Sequence, residues 1–286
     1  MKKERFDFVC SIGSSCLCAS SLRDAGLRLS SGPFDWLLGP SLEARADLIA
    51  KDFMGWFEAD DFVFLGNPHN YSTESYLNRR TGYKFLHDFK QGCSFESSFP
   101  EVRSKYERRV ARLYERVRTS QRVLFVWLEN PVKIDSPSNE EIMSARKILS
   151  DKFPGVDVEL LVVDRAPDDS VKEKMFRGDG YWRMACAYIR KTDDLNKDVR
   201  PWDIDTRPIR ALLSNFETCD YRSAEERHKH TEVSRVKKYA TLGASGAIGY
   251  AVARFQVKLC KHILNRLRRS GVDISRVFDV QIRGHR

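Results

Sequence analysis

Four residues, Gly13-Ser14-Ser15-Cys16, put two kinds of nucleophile into one short turn. The apolar run before them, Phe8 to Ile12, reads as a buried strand, and residues 15–27 read as a helix ended by Gly26. A helix that starts directly after a strand aims its free N–H groups at the turn, where they stabilise a thiolate or an oxyanion. The same field predicts a lowered pKa for a cysteine in the first helical turn. Cys16 is best placed for this; Cys18 points elsewhere around the helix, and Cys10 lies inside the strand. Ser15 is the rival nucleophile. Gly13, Ser14 and Ser15 would lend their amides to an oxyanion site, with Asn130, just past a second apolar run, as a further donor. A competing explanation asks less: small residues are needed wherever a strand and a helix approach closely.

These groups need a scaffold, and the central part of the chain spells one out. "RVLFVWLEN" (122–130) is a nearly continuous apolar run, as in a strand covered on both faces. "SPSNEEIMSARKILSDKFP" follows as a helix with Ser138 or Asn139 as its N-cap. "VDVELLVVD" (156–164) and "GYWRMACAYIR" (180–190) read as further strands. Strand, helix, strand, helix, strand from 122 to 190 predicts right-handed crossovers and a parallel sheet, joined by the first strand and its helix. The expected fold is α/β: a three-layer, mostly parallel, Rossmann-like sheet. In such a sheet ligands and catalytic groups collect at the carboxyl ends of the strands, which is where residues 13–16 lie. Residues 41–53 and 101–120 carry helical periodicity with Glu/Arg pairs at i,i+4 spacing. Residues 54–100, rich in Phe, Asn, Tyr and Gly, read as a long irregular insertion, a kind of segment that is often functional.

"SIGSSCLCASSLRDAGLRLSSGPFDWLL" (11–38) is similar to the opening block of a bacterial family grouped as papain-like cysteine peptidases. The shared pattern is Ser-x-Gly, two residues, Cys, a helix, Gly-Leu-Arg and then Pro-Phe-Asp-Trp. "YKFLHDF" (83–89) resembles a later block of that family, with its His-Asp pair. The resemblance implies a nucleophile at Cys16 and singles out Asp35, Trp36, His87 and Asp88. A thiol nucleophile needs a base within hydrogen-bond reach, and His87 lies among Phe85, Leu86 and Phe89, where its ring can be held. Asp35 or Asp88 would orient it; in a strand Asp88 would point away from its neighbour His87, so both acids stay open. The turn and "VWLEN" are also similar to SGNH-type esterases, in which a Gly and an Asn at strand ends help build the oxyanion hole. The late Asp-x-x-His of that class is absent. A papain-type fold sets its Cys on a central helix against an antiparallel barrel, whereas this chain reads as a parallel α/β structure. The resemblance implies hydrolysis or transfer at an acyl carbon, set in bacterial surface-polysaccharide modification, on a small-molecule, glycan or peptide substrate. The alternative is a non-catalytic or glycosyl-transfer module that binds a sugar or nucleotide-sugar at the strand-end pocket.

Composition narrows the partners. The 286 residues are 42% apolar and 31% charged, as in soluble globular proteins, and contain no apolar run long enough to span a membrane. Seven cysteines without a CxxC pair argue against a zinc ribbon or a disulfide framework. No phosphate-binding glycine loop follows a strand, so neither cofactor nor metal is expected. "HKH" (228–230) reads as solvated connector. "DRAPDD" (164–169) and "RPWDIDTRP" (200–208) could hold a cation or touch a sugar, and Trp182 and Trp202 could stack on one, although core packing is the default for Trp. The N-terminus, basic and then apolar, is interrupted by Asp7 and reads as a strand rather than a signal peptide, which predicts a cytoplasmic protein. Residues 1–220, the expected catalytic domain, carry 34 Lys+Arg against 35 Asp+Glu; residues 221–286 carry 15 against 5. This basic extension holds an amphipathic helix over 246–269, with Ile248, Val252, Phe255, Leu259, Ile263 and Leu267 on one face. Docking on the body, self-association and contact with an anionic membrane at its inner face are the readings it allows. Nucleic acid is not expected, since no recognition motif accompanies the charge.

Overall fold

The computed structural model describes residues 3–67, 72–130, 136–166, 174–186, 204–225 and 227. The features below belong to the compact unit Met1–Tyr221. The amphipathic helix expected over 246–269, with the His-Lys-His stretch, Trp202 and His69, lies outside the described residues.

The run RFDFVCS does not form one strand. Asp7 breaks it: its carboxylate accepts the amides of Gln121 and Arg122, both at 2.9 Å, and the chain changes partner there. Strand β1 (Glu4–Phe6) pairs in parallel with β11 (Phe216–Thr218), and β2 (Phe8–Ser11) pairs in parallel with β7 (Arg122–Leu128). Beyond β7 the sheet continues through β8 (Asp157–Arg165), β10 (Tyr181–Cys186) and β9 (Lys174–Gly178), in the order β2-β7-β8-β10-β9. All neighbours are parallel except β9, which runs antiparallel to β10. Residues 174–178 are therefore strand where the alternation predicted helix. Gly180, at φ +69°, closes the tight return between β9 and β10.

Strand β7 shows why its sequence is continuously apolar. Val123, Phe125 and Trp127 enter one buried cluster, while Leu124, Val126 and Leu128 enter a second. Helices α1 (Cys16–Asp24) and α5 (Arg207–Leu213) supply Leu17, Leu22, Ile209 and Leu212 to the second cluster. Helices α2 (Leu42–Ala50), α3 (Phe95–Arg118) and α4 (Asn139–Lys152) supply Ile49, Leu113, Ile142 and Leu149 to the first. Helix α4 starts where expected: Ser138 Oγ accepts the Glu141 amide and Glu141 Oε2 accepts the Ser138 amide, a reciprocal cap. The helix after β2 and the helix after β7 thus cover opposite faces of adjacent strands.

The segment 54–100 is not irregular. It forms most of a second, antiparallel sheet ordered β3 (Leu37–Leu38), β6 (Lys84–Lys90), β5 (Thr73–Asn78) and β4 (Phe62–Gly66). Its aromatic content is its core: Trp56, Phe57, Phe85, Phe89 and Tyr106 are buried together. The same aromatics move the start of α3. The helical periodicity reads over 101–120, yet the helix begins at Phe95 and carries Pro100 inside. Phe95 lies 5.4 Å from Phe89, and Phe99 5.4 Å from Phe62. Such contacts outweigh the one backbone bond a proline forfeits.

Arg45 joins the two sheets. It is fully buried, its guanidinium 5.2 Å from the Phe34 ring, 5.1 Å from Tyr83 and 5.7 Å from Trp127. Its Nε donates to the Pro40 carbonyl at 3.1 Å and an Nη to the Leu37 carbonyl at 3.5 Å. Arg45→Met keeps the stem but strands both carbonyls. It is expected to cost about 3 kcal/mol in urea denaturation, and a loss under about 1 kcal/mol would remove the cation from its assigned role.

Candidate active site

Gly13 sits where β2 hands over to α1. A Cβ there would fall 2.3 Å from Cys18 Cβ and 3.2 Å from the Leu128 nitrogen, so only glycine fits. The packing explanation therefore accounts for this residue. The Ser14 hydroxyl donates to the Leu128 carbonyl at 3.3 Å, and the Ile12 amide to Val126 at 2.9 Å, which fixes the ends of β2 and β7 side by side. Ser15 occupies the N-cap position of α1, but its hydroxyl caps nothing and is buried without a partner. Cys16 opens the helix half-buried. Burial pushes its thiol up, with only its own backbone amide pulling the other way. The direction is opposite to the lowering expected from the turn, because the assembled fold strips water from the sulfur.

The loop before β3 brings the second group of candidates together. Trp36 meets His87 edge-on, ring centroids 5.9 Å apart, and β3 holds them in place by pairing Leu37 with Phe85. Asp35, one residue back, is buried, and its Oδ2 accepts from Arg28 Nε at 2.7 Å and from the Gly32 amide at 2.9 Å. The Arg28 guanidinium also lies 6.0 Å from the Trp36 ring. Burial raises the Asp35 carboxyl even though Arg28 opposes the shift.

Asp88 has other work. It takes a hydrogen bond from Tyr106 Oη at 2.8 Å and an ion pair from Lys105 at 2.5 Å, both on α3. Strict alternation would turn Asp88 away from the face of Phe85, yet both contact Tyr106. The cause is a register shift: β6 advances four residues from Phe85 to Phe89 while β5 advances two, and Thr73 Oγ1 takes up the Leu86 carbonyl at 2.7 Å. Such bulges re-aim side chains. The described hydrogen bonds of Asp35 and Asp88 run to Arg28, Gly32, Lys105 and Tyr106, and not to His87.

At the end of β7, Asn130 is half-buried, and Glu129 beside it is buried with its Oε2 on the Arg165 amide at 2.6 Å. Glu129 and Arg28 were passed over in the sequence. The signal for Glu129 was legible as the first charge after a six-residue apolar run. Asp164, at the end of β8, is paired with Arg183 at 2.6 Å, and Asp205 accepts the Arg207 amide at 3.0 Å. Trp182 is core, its Nε1 donating to buried Glu159 at 2.7 Å. Among the described residues no group of three His, Cys, Asp or Glu side chains is placed to hold a metal.

Cys16 opens the helix that follows β2, and His87 lies on β6 of the antiparallel sheet. The chain belongs to the family described as "Putative papain-like cysteine peptidase (DUF1796)", which matches residues 7–165, more than half its length. It is also similar to "Uncharacterized protein R408" of Acanthamoeba polyphaga mimivirus, 29% identical across 46% of this chain and 67% of that one. That relative is viral and does not carry the bacterial setting implied by the sequence blocks. No solved structure matches.

The raised Cys16 thiol has a direct readout. Alkylation of Cys16 by iodoacetamide is expected to rise with pH around a midpoint above that of a free cysteine in solution, about 8.5, because less thiolate forms at a given pH. A Cys16 midpoint below that of the free amino acid would mean that a cation reaches the sulfur and overrides its burial.

Proposed function

We propose that the protein is a cysteine hydrolase or acyl transferase in which Cys16 attacks an acyl carbon and His87 takes the thiol proton. One observation carries the reading. Cys16 stands at the carboxyl end of β2, beside the end of β7, where the following helices leave on opposite faces. Adjacent strands whose connections diverge leave a crevice at their carboxyl ends, the usual seat of ligands in open α/β sheets. In this reading the sheet with its two helical layers is a three-layer, Rossmann-like core.

The chemistry follows from a thiol that rests protonated. Attack forms the C–S bond as the proton passes from sulfur to His87, and the carbonyl oxygen becomes an oxyanion. The amides at Ser15 and Cys16, with Asn130, would receive that oxyanion. The leaving group departs with the proton held by His87, and water or an acceptor alcohol then resolves the thioester. Trp36 fixes the imidazole plane through its ring edge. The acyl group of a glycan is the substrate class suggested by the resemblance, and the basic 246–269 segment would bring the enzyme to an anionic membrane from the cytoplasmic side.

A sugar- or nucleotide-sugar-binding module is the second reading. It is favoured by the raised thiol and by acids whose bonds run elsewhere than to His87. Hydrolysis of p-nitrophenyl acetate separates the two. Cys16→Ala is expected to reduce the rate to background, His87→Ala to reduce it about 100-fold or more, and Ser15→Ala to leave it within about threefold. Full activity in Cys16→Ala, together with thermal stabilisation by a nucleotide-sugar, would replace the hydrolase with the binding module.

A further inference from the structure

A cleft that Cys16 does not line lies between the edge of β2, the 28–35 loop and α3. It is lined by Ser11, Arg28, Ser31, Asp35, Arg109 and Arg112 among others, and has a cavity volume of about 10 Å³. That is room for one oxygen-sized group, with the cleft opening outward beyond it. Three guanidinium groups face one carboxylate, so the lining carries an excess of positive charge.

Two polar atoms in this lining have no partner: Asp35 Oδ1 and Arg109 Nη1. They come from separate elements, and Asp35 is 1% exposed. For Asp35 the asymmetry is marked. Arg28 Nε, Arg28 Nη2 and the Gly32 amide all fall on Oδ2, at 2.7, 2.6 and 2.9 Å, and Oδ1 is left bare. Buried polar atoms without partners are costly, and an acceptor and a donor left bare beside one cleft point to a bound group. Gly32 supplies an independent sign. A Cβ there would sit 3.3 Å from Asp35 Oδ1 and 3.6 Å from Cys10 Sγ, so the absent side chain keeps this space open.

The unmet atoms dictate the ligand. Arg109 Nη1 needs an acceptor and Asp35 Oδ1 needs a donor. The guanidinium excess calls for an anion. We propose that the cleft binds inorganic phosphate, which keeps at least one P–OH at neutral pH, with that P–OH donating to Asp35 Oδ1 and a phosphoryl oxygen accepting from Arg109. Sulfate has the same shape but no proton at neutral pH, and would set a bare oxygen against the carboxylate. Because Asp35 precedes Trp36, occupancy bears on the loop that holds His87, yet the proposal stands whether or not Cys16 is a nucleophile.

The test is thermal denaturation of the full chain with inorganic phosphate, methyl phosphate, sulfate or chloride at matched ionic strength. Phosphate at tenfold excess over its dissociation constant is expected to raise Tm by about 3 °C, and sulfate by less than half of that. Arg109→Gln and Gly32→Ala should each abolish the phosphate shift, whereas Arg108→Gln, on an exposed part of the same helix, should keep it. A larger shift with inorganic phosphate than with methyl phosphate, whose phosphoryl group is mostly unprotonated at neutral pH, supports the P–OH contact, and the reverse order would overturn it. Equal shifts with sulfate and phosphate, or none with either, would overturn the proposal and leave an ordered water as the occupant. The wild-type comparison decides this even if a variant fails to fold.

Discussion

The approach of α1 to the sheet at Gly13 leaves no room for a single methyl group, and much else follows from that contact. It lets Cys18 reach the Val126 carbonyl at 3.3 Å and Ser14 the Leu128 carbonyl, which locks the helix start against the ends of two strands. Cys16 is therefore positioned by backbone rather than by its own side chain. The tightness that positions the sulfur also strips water from it, so the placement of the thiol and its reluctance to ionise have one cause.

Buried arginines organise the rest of the site. Arg45, stacked among three aromatic rings, holds the carbonyls of Leu37 and Pro40, and Arg28 holds Asp35. Between them they fix both ends of the Gly32–Pro40 loop that carries Trp36. A planar cation that satisfies carbonyl and carboxylate partners while lying against rings suits such a role better than an ammonium would. The loop is thereby tied to the body near both of its ends.

The parallel sheet was legible because strands buried on both faces are written as unbroken apolar runs, and α4 because Ser138 and Glu141 write its cap. The antiparallel sheet was not. Its strands are short, its alternation is interrupted by a bulge at Leu86–Asp88, and its core is built from rings whose contacts are distant in sequence. Cys16 could be chosen from its turn, but its protonation state could not, since burial is a property of the assembled fold. Asp35 and Asp88 look equivalent in the sequence. They are separated only by α3, which brings Lys105 and Tyr106 to one, and by the Arg28 loop, which claims the other.

The exchange of partners at Asp7 has a bearing on how the chain is made. Strand β1 pairs with residues 216–218, and β2 with residues 123–126. Residues 4–6 thus have no sheet neighbour until residues 216–218 have been synthesised. Contacts so distant along the chain close late and slowly. Until then Phe6, buried in the finished protein, lacks the strand partner that helps to cover it.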